Sequence, residues 1–541
     1  MNISASLRVI SMALFLATLS PAQTFRTLLN FNGGNGAQPF YGSLIEGVDA
    51  SLYGTTAGGG AYGYGSVFKI TLGGELTTLY SFNGPQGYYP YTAVVQGADG
   101  SLYVTTEYGG VNYYGTIEKL TPAGERTTLH AFSGPDGAYP GGLIQARDGD
   151  LYGVTSGGGG SSNCLDGCGT VFKITCDGEL TTLYSFSLTD GAGPFAALIQ
   201  TGDGALYGTA PNGGSAACAS GCGLLFKVVP NGTLTTLHEF DVADGAEPFG
   251  SLIQAADGDL YGTTIAGGSN SGGTVFKITT AGQLTTLYSF GPDDGYQPYG
   301  ALVQATDGNF YGATNYGATY LDGTVFKVTP SGELTTLHIF DGADGRLPYA
   351  GLAQATDGNL YGTTAYGGDH LDGAIFRISL DFQPFVLAQP AAAKVGATVH
   401  IIGNDLTGAT EVSFHELAAP FVLVSPTEIS ATVPVGATTG TVRVTTSSGP
   451  LSSNVPFRVI PTIQAFSPLD GPVGAVVTIL GESFTGALGV AFGGVPATTF
   501  ASVSNSQISA TVPAGARTGK ITVATPGGAA LSADDFTVTA Q

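Results

Sequence analysis

Tryptophan is absent from this 541-residue chain, and its only two methionines, Met1 and Met12, fall near its start. Charge is scarce as well: 11% of residues carry it, with 17 Lys and Arg against 40 Asp and Glu. The net charge of −23, without a basic cluster to offset it, argues against a nucleic-acid partner, whose phosphates would be repelled. Low charge beside 43% hydrophobic residues and 86 glycines suits neither a disordered chain nor a helical one. It suits short strands joined by tight turns.

Long apolar runs are also few. One runs from Val9 to Leu19 after Arg8, and Ser20-Pro21-Ala22 places small residues at a cleavage position. Residues 1–22 therefore read as a secretory signal peptide, too short to span a bilayer. No later stretch is apolar for long enough, so no transmembrane segment is expected in the mature chain.

What is abundant is repetition. Leu-Tyr-Gly or a near variant recurs with its Tyr at 53, 103, 152, 207, 261, 311 and 361. Val-Phe-Lys or a variant centres on Phe68, Glu118, Phe172, Phe226, Phe276, Phe326 and Phe376. Leu-Thr-Thr-Leu-Tyr-Ser-Phe or a variant ends at Phe82, Phe132, Phe186, Phe240, Phe290 and Phe340. One unit of about fifty residues holds four strand-like segments, with an Asp-Gly turn after the first and a Gly- and Tyr-rich loop after the second. The first three segments occur seven times, the fourth only six times in place. A spare fourth copy, Phe25 to Phe31, stands at the mature N-terminus and is predicted to complete the seventh blade. The fold class that follows is all-β: a seven-bladed β-propeller closed by an N-terminal strand, over residues 23–382. Two related segments of short alternating strands follow, predicted as immunoglobulin-like β-sandwiches over 383–460 and 461–541.

The repeat resembles the bacterial GloVer (Gloeo-Verruco) tandem repeat, which implies an exported protein and brings no established activity. The second tail segment, with Ser467-Pro468, Gly481-Glu-Ser-Phe and Ile508 to Pro513, resembles the IPT/TIG module. The first tail segment is a looser copy, with His415-Glu416 where the second has Gly493-Gly494. Such modules imply spacers or protein-contact domains. The period also suits kelch-type propellers, but their Trp signature is missing.

No catalytic set emerges, and no cofactor or metal is expected. Gly58 to Gly63 fits a dinucleotide-binding glycine pattern, yet a strand follows where a helix is needed. His130, His238 and His338 alternate with Tyr80, Tyr184 and Tyr288 at one repeat position, which marks packing or surface. Asp136, Asp190, Asp241 with Asp244, Asp293 with Asp294, and Asp341 with Asp344 recur before strand one, where turn chemistry explains them, with calcium an open alternative. Cys164 with Cys168, and Cys218 with Cys222, are predicted disulfides in equivalent loops, a four-thiolate zinc site being the alternative. Cys176 falls in an opposite turn and is expected to be a free thiol.

By analogy with other propellers, the loops after strands two and four share one face. Tyrosines crowd it, and Tyr62, Tyr64, Tyr113 and Tyr114 are the candidate contacts, with Tyr113-Tyr114 reading as outside the repeat pattern. The leading expectation is a secreted or envelope-associated, non-catalytic binding protein. Its propeller would be the recognition head on an Ig-like stalk, and its partner a glycan or a cell-surface protein. A polysaccharide lyase or hydrolase and a purely structural surface protein are the alternatives.

Overall fold

The computed structural model describes residues 23–121, 124–317 and 319–540. The signal-peptide expectation lies outside them. Seven four-stranded antiparallel sheets form the blades of a propeller. In blade one the order from channel to rim is Ile45–Glu46, Leu52–Thr56, Ser66–Ile70 and Leu76–Ser81. The inner strands of blades two to seven start at Val95, Ala138, Ile199, Ile253, Val303 and Ala353.

The repeat motifs are the contacts between blades. Every residue of Leu52–Thr56 is buried, because both faces of that strand meet other blades. Its threonines stay satisfied: Thr56 and Ser66 share a hydroxyl hydrogen bond of 2.8 Å, and Thr55 donates to the Thr92 carbonyl of blade two. Gly54 faces the Phe68 ring, where a Cβ would stand 2.6 Å from Cζ. That space lets Phe68 meet Phe31 of the preceding blade edge-on at 5.5 Å. The same pair recurs as Phe132–Phe172, Phe186–Phe226, Phe240–Phe276, Phe290–Phe326 and Phe340–Phe376. Each fully buried ring contributes about 1.5–3 kcal/mol by area.

Blade two departs at three linked positions. Val104 replaces the glycine, Glu118 the phenylalanine and Arg126 the leucine. Glu118 is wholly buried and takes hydrogen bonds from Thr116, Thr128 and Arg126. Arg126 reaches on to Gln86 and lies over the Tyr80 ring of blade one. A polar bridge thus replaces the Phe–Phe contact at one blade boundary of seven.

The N-terminal strand Thr24–Asn30 pairs with Ala374–Ser379 as the outer strand of blade seven, as the repeat count predicts. Phe25 stacks on His338 of blade six, and Phe31 seals against Phe68 of blade one.

A ring of side-chain latches lies toward the Asp-Gly turns. Gln96, Gln145, Gln200, Gln304 and Gln354 each accept a backbone N–H from the preceding blade, at Val48, Ala98, Arg147, Ala256 and Thr306. At the closing seam Glu46 takes this place, bound by the Thr356 N–H at 2.8 Å and hydroxyl at 2.7 Å. Burial is the main reason its pKa rises from 4.5 to about 7, with Asp357 and Asp49 adding to it against the Thr356 donors. A carboxyl raised in the folded state favours folding in its protonated form. Its contribution is therefore full below about pH 4.5 and is lost as pH rises to about 7, by about 3 kcal/mol in all. Glu46→Gln would copy the Gln354–Thr306 latch, in which the amide also donates to the threonine hydroxyl. We expect this variant to match the parent near pH 4.5 and to gain about 1–3 kcal/mol near pH 8. Thermal unfolding across that range checks it, and parallel pH profiles would contradict it.

Two β-sandwiches complete the chain. Sheets built on Thr398–Gly403 and Val442–Thr446 enclose one core, and sheets built on Val476–Glu482 and Gly519–Thr525 enclose the other. Both approach the Asp-Gly-turn side. Gln389 donates to the Glu46 carbonyl, Asn404 to the Thr356 hydroxyl, and Arg458 to Gln254, whose latch is the one diverted from the blade ring. Gly528 of the second sandwich lies against Arg147. Both modules thus contact the propeller, and the first reaches the closing seam itself. Among the described residues no helix is long and apolar enough to cross a membrane.

Candidate functional site

The loops after strands two and four share one face, as their mutual backbone bonds Gly60 to Gly33 and Gly110 to Pro85 require. The inner strands line a channel that opens there through an aromatic ring. Five blades supply one ring each after a proline: Tyr91, Phe195, Phe249, Tyr299 and Tyr349. Blade one has one residue more between its proline and its latch than these blades, and blade three has one fewer. Blade three accordingly runs a continuous inner strand, Ala138–Gln145, and offers Gly141 in place of an aromatic. Blade one offers two. Phe40 fills its ring slot between Tyr91 and Tyr349, at 5.4 and 5.5 Å. Tyr41 occupies the centre, with its ring 5.2–6.1 Å from those of Phe195, Tyr349, Phe249, Tyr299 and Tyr91. The insertion and the deletion compensate: Tyr41 fills what blade three leaves empty. Behind this layer lies a cavity of about 80 Å³ lined by Ser43, Thr92 and Ser251 among others.

Outside the ring, tyrosines run in contact across blades one to three. Tyr64 meets Tyr88, Tyr88 meets Tyr108, Tyr108 meets Tyr139, and Tyr139 meets Tyr114, with centroids 5.4–6.1 Å apart. Tyr62 and Tyr113 are each 63% exposed at the loop tips, Tyr64 is 41% exposed, and Tyr114 is half-buried. Tyr114 does not lie outside the repeat: it holds the position of Tyr64, two residues before strand three. In blades three and four that position belongs to Cys168 and Cys222. Tyr113 adopts φ +63° at a turn position held by Gly63, Gly167 and Gly221 in blades one, three and four, and by Ser271, Leu321 and Leu371, also at positive φ, in blades five to seven. A left-handed tyrosine there costs about 1–2 kcal/mol. Its loop borders a pocket of about 390 Å³ with Gln86, Val111 and Thr128.

The predicted disulfides close the tips of two loops on this face, with Cα separations of 5.2 Å for Cys164–Cys168 and 5.0 Å for Cys218–Cys222. Cys176 is unpaired and lies against the Gly149 carbonyl on the other face. The recurrent aspartates have structural partners: Asp136, Asp244 and Asp344 bind His130, His238 and His338, while Asp190 and Asp294 accept from Tyr184 and Tyr288. A tyrosine hydroxyl and a histidine Nε2 reach the same point, which is why the two alternate. Among the described residues no group of three or more His, Cys, Asp or Glu is placed to hold a metal.

Sequence reasoning missed Glu107. It follows strand two of blade two, where other blades carry Ala57, Ser156, Pro211, Ile265, Asn315 and Ala365, so comparison of the repeats could have found it. Half-buried and hydrogen-bonded by the Tyr108 hydroxyl, its carboxyl is pushed up to about 7, chiefly by burial. Burial, and with it the Glu107 charge, raises the phenols of Tyr91 and Tyr108, the latter to about 12. The blades are therefore less uniform than the motifs suggest.

The model of the Gloeobacter/Verrucomicrobia repeat matches residues 14–165, 144–282 and 215–398. The chain belongs to this repeat family. The IPT/TIG domain matches residues 387–459 and 461–539. No curated protein matches this member of the family. Among solved structures, it resembles a gluconolactonase from Xanthomonas campestris at 14% identity and TM-score 0.35, covering 65% of this chain and 98% of that one. It also resembles the extracellular domain of a protein assigned to a hybrid two-component system of B. thetaiotaomicron, at 11% identity and TM-score 0.45. That match covers 95% of this chain but 56% of the other. A third, SGBP-B from a xyloglucan utilization locus in Bacteroides uniformis, is 21% identical at TM-score 0.15 over 28% of this chain and 48% of that one. Similarities at this level say nothing about activity.

Proposed function

We propose that this repeat-family protein is a non-catalytic binding protein of the cell surface or extracellular space, and that its loop face is the recognition surface. The observation that carries this reading is the difference between the two faces. The Asp-Gly-turn side is engaged by the two modules, the first through Gln389, Asn404 and Arg458 and the second through Gly528 against Arg147. The loop side presents exposed tyrosines and the strained Tyr113. Flat amphipathic rings suit a glycan or a protein surface. Two disulfides fit an oxidising compartment outside the cell and stiffen the loops of blades three and four, which lowers the entropy lost on binding. A polysaccharide-acting enzyme would bring paired acids to the channel mouth, where aromatic rings stand instead, with Glu107 near Tyr91 and Glu247 near Tyr299.

A glycan and cell-surface binding screen of the full chain tests the reading. Replacing Tyr62, Tyr64, Tyr113 and Tyr114 by Ala should weaken the binding it finds by about tenfold or more. Only Tyr64 and Tyr114 pack on neighbouring rings, so the stability cost should stay near about 2 kcal/mol. Unchanged binding by this variant would contradict the reading.

A further inference from the structure

The aromatic ring has a charged neighbour on the side of blade three. Gly141 supplies no side chain there, Tyr41 fills its place, and Glu107 follows strand two of blade two, the strand that faces blade three. Its backbone N–H is held by the Tyr89 carbonyl, and its carboxylate by the Tyr108 hydroxyl. The phenols of Tyr41, Tyr91, Tyr88 and Tyr139 lie near enough to feel its charge. The rings of Tyr108 and Tyr139 meet at 5.4 Å, and those of Tyr89 and Tyr91 at 5.9 Å. All of these side chains remain partly open to solvent. Among the described residues no Lys, Arg or His forms an ion pair with Glu107, whereas Asp49, Glu118, Asp148 and Asp257 each have one. A half-desolvated carboxylate among tyrosine side chains, without an ion-pair partner, is electrostatically incomplete. The aspartates of the same face and the net charge of −23 keep the surrounding potential negative.

We infer that Glu107, with the rings of Tyr91, Tyr108 and Tyr139, binds the ammonium group of a small-molecule or glycan ligand at the mouth of the channel. This deepens the recognition role proposed for the loop face by giving its ligand a chemical class. A primary or quaternary ammonium fits the ring faces by cation–π attraction and ion-pairs with the carboxylate. A neutral group of the same shape would gain only the apolar part.

The test is calorimetric titration of the full chain near pH 8 with two matched pairs: choline against 3,3-dimethyl-1-butanol, and glucosamine against N-acetylglucosamine. At least one cation should bind, at least about tenfold more tightly than its neutral counterpart. Binding by choline alone identifies an alkylammonium ligand, and binding by glucosamine alone an amino sugar. Glu107→Gln keeps the side-chain shape, so it should fold as the parent does and lower cation affinity by about tenfold or more. Near pH 5.5 the parent should bind about as weakly as that variant. Glu107 is then protonated, and the phenols of Tyr41, Tyr88, Tyr91, Tyr108 and Tyr139 around it stay neutral at both pH values. Equal affinity for charged and neutral ligands, unchanged binding by Glu107→Gln, or no cation binding at about 100 mM would overturn the inference. The four rim tyrosines of the earlier test lie outside this set. If their replacement abolishes surface binding while the parent ignores both cations, the ammonium site alone is refuted.

Discussion

Deleting residues 23–31 should leave a chain that no longer unfolds cooperatively near the parent's melting temperature and that aggregates on expression. The deletion removes the outer strand of blade seven and uncovers the whole edge of Ala374–Ser379. It also removes Phe31, wholly buried against Phe68, and Phe25, which stacks on His338 and Phe376. Replacing a buried Phe by Ala alone typically costs about 3–5 kcal/mol, a large share of a domain's stability. The paired point variants Phe25→Ala and Phe31→Ala should therefore show intermediate losses in thermal unfolding. A deletion variant that melted like the parent would mean that the ring does not depend on this strand.

The blade-two substitutions should be rescued only together. Arg126→Leu alone leaves Glu118 buried without its cation, which typically costs about 3–5 kcal/mol. Glu118→Phe alone sets a ring against Val104, at a place where the other blades need glycine: in blade one a Cβ would stand 2.6 Å from the Phe68 ring. The triple variant V104G, E118F, R126L restores the pattern of the other blades, with a ring free to meet Phe82 edge-on. It should be at least as stable as the parent, because well-packed apolar groups commonly match or exceed a buried ion pair, by about 1–4 kcal/mol. Chemical denaturation of the three variants distinguishes the outcomes. A triple variant as unstable as Arg126→Leu would show that the polar bridge supports the blade boundary in some further way.

These two cases also mark what the sequence made legible. Blade number, strand order, closure by the first strand and both disulfides followed from counting motifs and from cysteine spacing. The reason is that each motif residue makes the same contact in every blade. Departures from the motif were harder to read. Glu118 was visible as a variant, but its linkage to Val104 and Arg126 appears only when strand register brings the three together. The extra residue of blade one and the missing one of blade three are visible in an alignment of the repeats. That Tyr41 fills the centre of the channel is a fact of closure, which no single repeat contains. Tyr62 and Tyr113 were legible as exposed loop aromatics, whereas Tyr114 was misjudged because its position is shared with cysteines that hide the equivalence. Glu107 was overlooked because it differs from its counterparts only by being charged. The docking of the modules on the Asp-Gly-turn side left no sequence signal, since it uses glutamines and backbone groups that already serve within the propeller.

The most direct test of the loop face as recognition surface is hydroxyl-radical footprinting of the full chain, free and bound to the glycan or envelope preparation found by the screen. Tyrosines oxidise readily, and the sandwiches carry exposed leucines as internal controls. The account predicts protection at Tyr62, Tyr64 and Tyr113 on binding, with Leu417, Leu469 and Leu488 unchanged. Protection confined to those leucines, with the loop tyrosines oxidised as in the free chain, would contradict it.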